Sequence, residues 1–224
     1  MSGESLSDLI VLTPGKDEAA ALEGLFTRRQ AALGIRSFQY TIDRHEDRDP
    51  GCRLRSDDYL RPFERQYQHA LVLFDHEGCG AEQVPAERLE AAVERQLAAS
   101  GWAGRAACIV IEPELENWLW SDSLCVDDVL GWSGRTPALR QWLRQEGHLV
   151  RGAAKPARPK EATEAAMRVV RKHRTSVLYR QLAEKVSLDQ CQERSFLKLK
   201  RVLREWFPGP TGKPLETPRT EESR

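Results

Sequence analysis

The side chains best suited to chemistry stand directly after the most apolar stretch of the chain. Ala70 to Phe74 (ALVLF) runs into Asp75-His76-Glu77, followed by the turn-forming Gly78-Cys79-Gly80. Asp75 and Glu77 are separated by one residue, so at the end of a strand both can face the same side. Carboxylates held together repel, and a hard divalent cation relieves that repulsion. Mg2+ and Mn2+ prefer oxygen ligands and are commonly held by one or two carboxylates plus substrate phosphates. His76, between two acids, is a candidate proton carrier or phosphate contact, and so is the loop residue His45. The plainer account of the same residues is a turn whose acids cap the segment that follows.

Two other apolar runs end in the same way. Asp8 to Thr13 leads to Pro14-Gly15-Lys16-Asp17-Glu18, and Arg105 to Ile111 leads to Glu112-Pro113-Glu114-Leu115-Glu116. If these runs are parallel strands, their ends lie along one edge and the acids converge. Glu112 is then a candidate metal ligand with Asp75 and Glu77, while Glu114 or Glu116 completes the shell. Pro113 also suits a helix start, where acids complement the helix dipole without any catalytic duty.

The elements that must position these acids follow from pattern. Strands are expected over 8–13, 35–42, 70–74 and 105–111, each a short apolar or alternating run bounded by turn residues. Helices are expected from Lys16 to Gly34, from about Asp58 to Gln68, from Pro85 to Ser100 and around Trp118 to Trp120. The polar stretch 43–57, broken by Pro50-Gly51, reads as a loop. Strand and helix in alternation argue for an α/β fold, a mainly parallel four-stranded sheet with helices on both faces. Such sheets bind ligands at the carboxyl ends of their strands. Beyond Ser121 the strand pattern vanishes, and helices are expected near 136–146, 160–173, 177–185 and 191–206. The division is an α/β domain over 1–122, a helical basic region over 123–207, and a disordered tail over 208–224.

Charge divides along the same line. Lys and Arg equal Asp and Glu at 34 each, but residues 151–204 hold 15 basic against 5 acidic residues and residues 1–150 hold 16 against 25. Lys155, Lys160, Arg171, Lys172 and Arg174 are candidate contacts to a nucleic-acid backbone, DNA or RNA. The alternative is that the basic helices dock on the acidic sheet domain.

Several classes are set aside. The five cysteines show no zinc or redox spacing and are expected to be reduced thiols, Cys108 in the core. The N-terminal residues do not read as a leader or a membrane span, so a cytoplasmic protein without membrane attachment is expected. There is no nucleophile elbow or phosphate-binding glycine loop; Gly15-Lys16 lacks the rest of the motif. The six tryptophans read mostly as core packing.

LVLFDHEGCG resembles the metal-holding Asp-x-Asp strand of the Toprim domain shared by topoisomerases, primases and some defence nucleases, with Glu77 as its second acid. IEPELENWLW, PKEATEAA and SLDQCQERSFLKLKRVL are similar to compact Toprim-like proteins of bacterial anti-phage systems, including a component of methylation-associated defence systems; the likeness spans about Leu9 to Phe207. It implies a Toprim-like, Mg2+- or Mn2+-dependent nuclease acting on nucleic acid, with other defence subunits as possible partners. One departure stands out: Pro14 occupies the place of the family's strand-one glutamate. Asp17, Glu18 or the Glu112–Glu116 group is the candidate for the missing carboxylate; otherwise the fold serves as an assembly or sensor subunit that binds without turnover.

Overall fold

The computed structural model describes residues 6–120, 124–185 and 191–210. Four parallel strands form one sheet: β1 (Ser7–Thr13), β2 (Tyr40–Arg44), β3 (Tyr67–Asp75) and β4 (Ala106–Ile111), in the spatial order β2-β1-β3-β4. Val11 lies opposite both Ile42 and Leu71, and Asp75 lies opposite Ile111. The inner strands β1 and β3 are continuously apolar because helices cover both faces.

The connections cover both faces. Helices α1 (Lys16–Arg28) and α2 (Gln30–Leu33) join β1 to β2, and Leu22, Leu25 and Phe26 pack with Leu9, Val11 and Leu71. Helices α3 (Arg48–Leu60) and α4 (Ala86–Leu97) lie on the opposite face, where Cys52, Leu60, Leu89 and Val93 meet Ile10, Leu12, Val72 and Phe74. Leu89, Val93 and Leu97 recur every four residues, which gives α4 one apolar stripe.

The C-terminal helices are α5 (Glu116–Leu119), α6 (Leu124–Leu130), α7 (Leu139–Gln145), α8 (Pro159–Val169), α9 (Ser176–Lys185) and α10 (Arg194–Trp206). Their core is continuous with the α1 face of the sheet: Tyr179, Leu182, Phe196, Leu199 and Phe207 belong to the same cluster as Leu9 and Val11. Helix α9 runs so close to α1 that a Cβ on Gly24 would stand 2.8 Å from the Arg180 carbonyl oxygen. Helix α10 packs beside β4, where Arg194 and Lys198 reach Glu90 at 2.8 and 3.1 Å. Glu90 and Glu94 in turn accept from the backbone N–H groups of Val110 and Cys108, at 2.9 and 3.0 Å. The open side of edge strand β4 is thereby occupied by side chains rather than left as a template for another strand.

The stretch 43–57 is not a loop. β2 continues to Arg44 and α3 starts at Arg48. Pro50 is no obstacle because it falls in the first helical turn, where backbone N–H groups have no intrahelical acceptor. The helix expected over 58–68 ends early: α3 stops at Leu60, a 3-10 turn covers Arg61–Phe63 around Pro62, and β3 begins at Tyr67. The second strand begins five residues later than expected, and Ile35 instead bridges Pro208. The expected domain boundary at 122/123 and most of the expected tail, 211–224, lie outside the described residues. Cys52, Cys79, Cys108 and Cys191 are free thiols, with Cys108 fully buried. Among the described residues no helix is long and apolar enough to cross a membrane.

Candidate functional site

The strand order places a switch point between β1 and β3. β1 leaves its carboxyl end toward α1 on one face, and β3 leaves toward α4 on the other, so the two exits diverge and open a crevice. A cleft of about 900 Å3 lies there, reaching from the first turn of α1 to the β2–α3 connection and to Asp75 and Glu77.

Asp75 ends β3 at this cleft. Its backbone N–H donates to Asp49 Oδ1 at 2.9 Å, which ties the strand end to the first turn of α3. Its own Oδ1 is buried without a hydrogen-bond partner. Burial, followed by the charges of Glu18, Asp49, Glu116 and Glu114, holds its carboxyl well above the usual carboxylate range. Burial also pushes Asp49 up, against the N–H of Asp75 that favours its charge.

Of the acids that follow β1, Glu18 lines the cleft and acts on Asp75 through its charge. It sits in the first turn of α1, is buried, and its carboxyl is pushed up to about 7 by burial and then by Asp49, Asp17 and Glu116. Gly15 allows this placement, since a Cβ there would stand 2.9 Å from Glu18 Oε2. The sequence names Glu18 only as one substitute among several, and Asp49 escapes notice inside a supposed loop. The usable sign was a pair of acids at the start of each of two helices, Asp17-Glu18 and Asp47-x-Asp49.

Two cations from the C-terminal region close one side of the cleft. Arg174 reaches Asp17 Oδ2 at 3.0 Å and Glu116 Oε1 at 3.3 Å, while Lys160 Nζ lies 3.5 Å from Glu114 Oε2. Glu114 also accepts the Lys160 backbone N–H at 2.9 Å, and Glu116 accepts the Tyr179 hydroxyl. Both glutamates are buried and committed inside the chain. They act on Asp75 through their charge.

The remaining sequence candidates divide. Glu77 is exposed on the cleft wall. His76 turns away and its Nε2 pairs with the Val84 carbonyl at 2.8 Å. Glu112 accepts from Arg194 Nε at 3.2 Å, beside Glu90 on the β4 edge, and does not line the cleft. Lys155 donates to the Asn117 carbonyl and to Glu193, both at 2.7 Å, and Lys172 donates to the Val129 carbonyl. Arg171 is exposed at the end of α8, away from the cleft. His45 lines the cleft but is buried against Gly51, where a Cβ would meet its ring at 2.1 Å, and its Nδ1 accepts the Asp47 N–H.

No family model, curated protein or solved structure matches this chain. The site is therefore read from its own chemistry. Among the described residues no three His, Cys, Asp or Glu side chains are grouped tightly enough to form a ready metal cage. The donor types at Asp75, Glu18 and Asp49 nonetheless suit a hard cation, and the orphaned Asp75 Oδ1 is the kind of atom such an ion satisfies. Mg2+ in particular takes few protein ligands and relies on water and substrate phosphate for the rest.

Proposed function

We propose that the cleft is the centre of a divalent-cation-dependent phosphodiester-processing enzyme acting on nucleic acid. The observation that carries this reading is the buried, unpartnered Asp75 Oδ1 amid Glu18 and Asp49, with no protein cation bonded to any of these three side chains among the described residues. Burying like charges together is costly unless something neutralises them. Here the nearest internal cations, Arg174 and Lys160, are engaged by Asp17, Glu116 and Glu114.

Asp75 and Asp49 would hold Mg2+ or Mn2+, which when bound neutralises charge building on a phosphate. Asp49 also orients Asp75 through its backbone N–H. Glu18, with a carboxyl titrating near 7, is placed to accept a proton from an attacking water, because a general base works best when its pKa lies near the operating pH. Arg174 and Lys160 keep Asp17, Glu116 and Glu114 from adding their full charge to the floor. A Toprim-like nuclease role in an anti-phage system, in the cytoplasm and alongside other defence subunits, agrees with this chemistry and rests on the likeness of LVLFDHEGCG and the later segments.

The test is Asp75→Asn, nearly isosteric. It should abolish saturable Mn2+ binding and lower metal-dependent cleavage of oligonucleotides by about 100-fold or more, while the fold persists. Cleavage at the wild-type rate by this variant would refute the proposal.

A second reading has its own observation. Lys155, Lys160, Arg174, Arg194 and Lys198 all serve internal ion pairs, so much of the basic C-terminal charge holds helices to the acidic sheet domain. An assembly subunit of this fold would show the same docking and no turnover in Mg2+ or Mn2+.

A further inference from the structure

A cleft with an acidic floor repels a polyanion unless its rim supplies cations, and the basic helices do not supply them. Lys160 and Arg174 are committed to Glu114 and to Asp17, Glu116 and Glu164. The part of the rim built from the acidic half of the chain is different. Lys16 opens α1, Arg44 ends β2 and Arg48 opens α3; all three line the cleft, and all three are exposed.

None of the three makes a side-chain hydrogen bond or ion pair among the described residues. The charge of Arg48 is felt at the floor after that of Lys160; both lower the Asp49 carboxyl, as its backbone hydrogen bonds do, against the effect of burial. Its backbone is also unusual for a side chain of its size, with φ at +50°. Residues held in this left-handed region concentrate at functional sites, because the surrounding structure must hold them there. Here the Arg48 N–H donates to the His45 carbonyl at 3.1 Å and the next residue, Asp49, is bonded to Asp75. The strained turn therefore carries Arg48 beside the carboxylate that holds the strand end.

We propose that Lys16, Arg44 and Arg48 are the phosphate-gripping rim of the cleft and take the backbone of a polynucleotide, a role that the C-terminal basic helices do not perform. This deepens the reading of the cleft as a phosphodiester-processing site and rests on it. The three cations come from the carboxyl ends of adjacent strands and their following helices, and they line the same cleft as Lys160 and Arg174. Contacts to backbone phosphate carry no sequence preference, so binding should be salt-dependent and broad in sequence.

The experiment measures fluorescence anisotropy of a labelled 20-nucleotide single strand with the full chain in EDTA, across a salt series. Arg44→Gln/Arg48→Gly removes two phosphate contacts while relieving the strained backbone, so the fold is not put at risk. It should weaken binding at least tenfold and flatten the log–log salt slope by about 1.4. Arg168→Glu/Arg171→Glu, on the C-terminal helices, should stay within about twofold of wild type. Equal affinity of the Arg44/Arg48 variant and wild type, loss of affinity only in the Arg168/Arg171 variant, or no binding by wild type at 50 mM salt would each overturn the proposal. Asp75→Asn serves to separate the two claims: a retained Mn2+ site with unchanged cleavage in that variant refutes the metal reading, whereas the binding of the Arg44/Arg48 variant in EDTA reports on the rim.

Discussion

The backbone N–H of Asp75 and the Oδ1 of Asp49 are 2.9 Å apart, and this one bond joins the last residue of β3 to the first turn of α3. It makes Asp49 both a brace for the strand end and a member of the acidic floor. The two roles separate by substitution. Asp49→Asn keeps an acceptor for the N–H and removes a charge, whereas Asp49→Ala removes both. Asp49→Ala should be less stable than Asp49→Asn by about 1–2 kcal/mol in urea unfolding, and both should weaken Mn2+ binding.

The floor also sets the dependence of stability on pH. Glu18 titrates near 7 in the fold and near 4.5 when free, so between these values the folded chain binds the extra proton. Stability of the metal-free protein must then fall as pH rises from about 4.5 to about 7, by up to ~3 kcal/mol, and level off above. Asp75 is shifted in the same direction and adds to the slope. Urea midpoints across this range should show the decline, Glu18→Gln should flatten it, and Mn2+ should oppose it.

Helix α9 belongs to the same packing unit as α1, and Gly24 is the contact that tests this. A Cβ there would stand 2.8 Å from the Arg180 carbonyl and 3.2 Å from the Ala183 Cβ, both set by backbone. Gly24→Ala should therefore cost about 1–3 kcal/mol through overpacking, despite the better helix propensity of alanine. A single cooperative unfolding transition at a lower midpoint is the expected result. A separate early transition of the C-terminal helices would show that they form an independent unit.

Arg48 opposes stability to function. Its left-handed backbone is disfavoured for any residue with a Cβ, so Arg48→Gly should raise the urea unfolding free energy by about 1 kcal/mol. The same change removes a rim cation and should weaken oligonucleotide binding. A variant both more stable and weaker in binding is the outcome to look for.

Much of the architecture was legible in the residues. The apolar runs 8–13, 70–74 and 105–111 could only be buried strands, because each is short, rich in aliphatic residues and closed by turn chemistry, and the alternation with helices made the sheet parallel. Asp75 at a strand end followed directly. What local pattern missed was α3, because Pro50-Gly51 reads as a break unless one knows that it falls in a first turn. With α3 hidden, Asp49 and Arg48 were hidden too.

Which acids face one another was never a property of the one-dimensional chain. Glu112, Glu114 and Glu116 are spaced alike, yet Glu112 goes to Arg194 on the β4 edge, Glu114 to Lys160 and Glu116 to Tyr179 and Arg174. The same holds for the cations: composition left residues 151–204 open to a polyanion or to the acidic sheet domain, and in the fold Lys160, Arg174, Arg194 and Lys198 pair with acids of residues 1–150. Local sequence sets strand, turn and charge because these depend on neighbours a few residues away. The pairing of charges depends on which helix the packing brings across each face, and only the closed tertiary structure decides that.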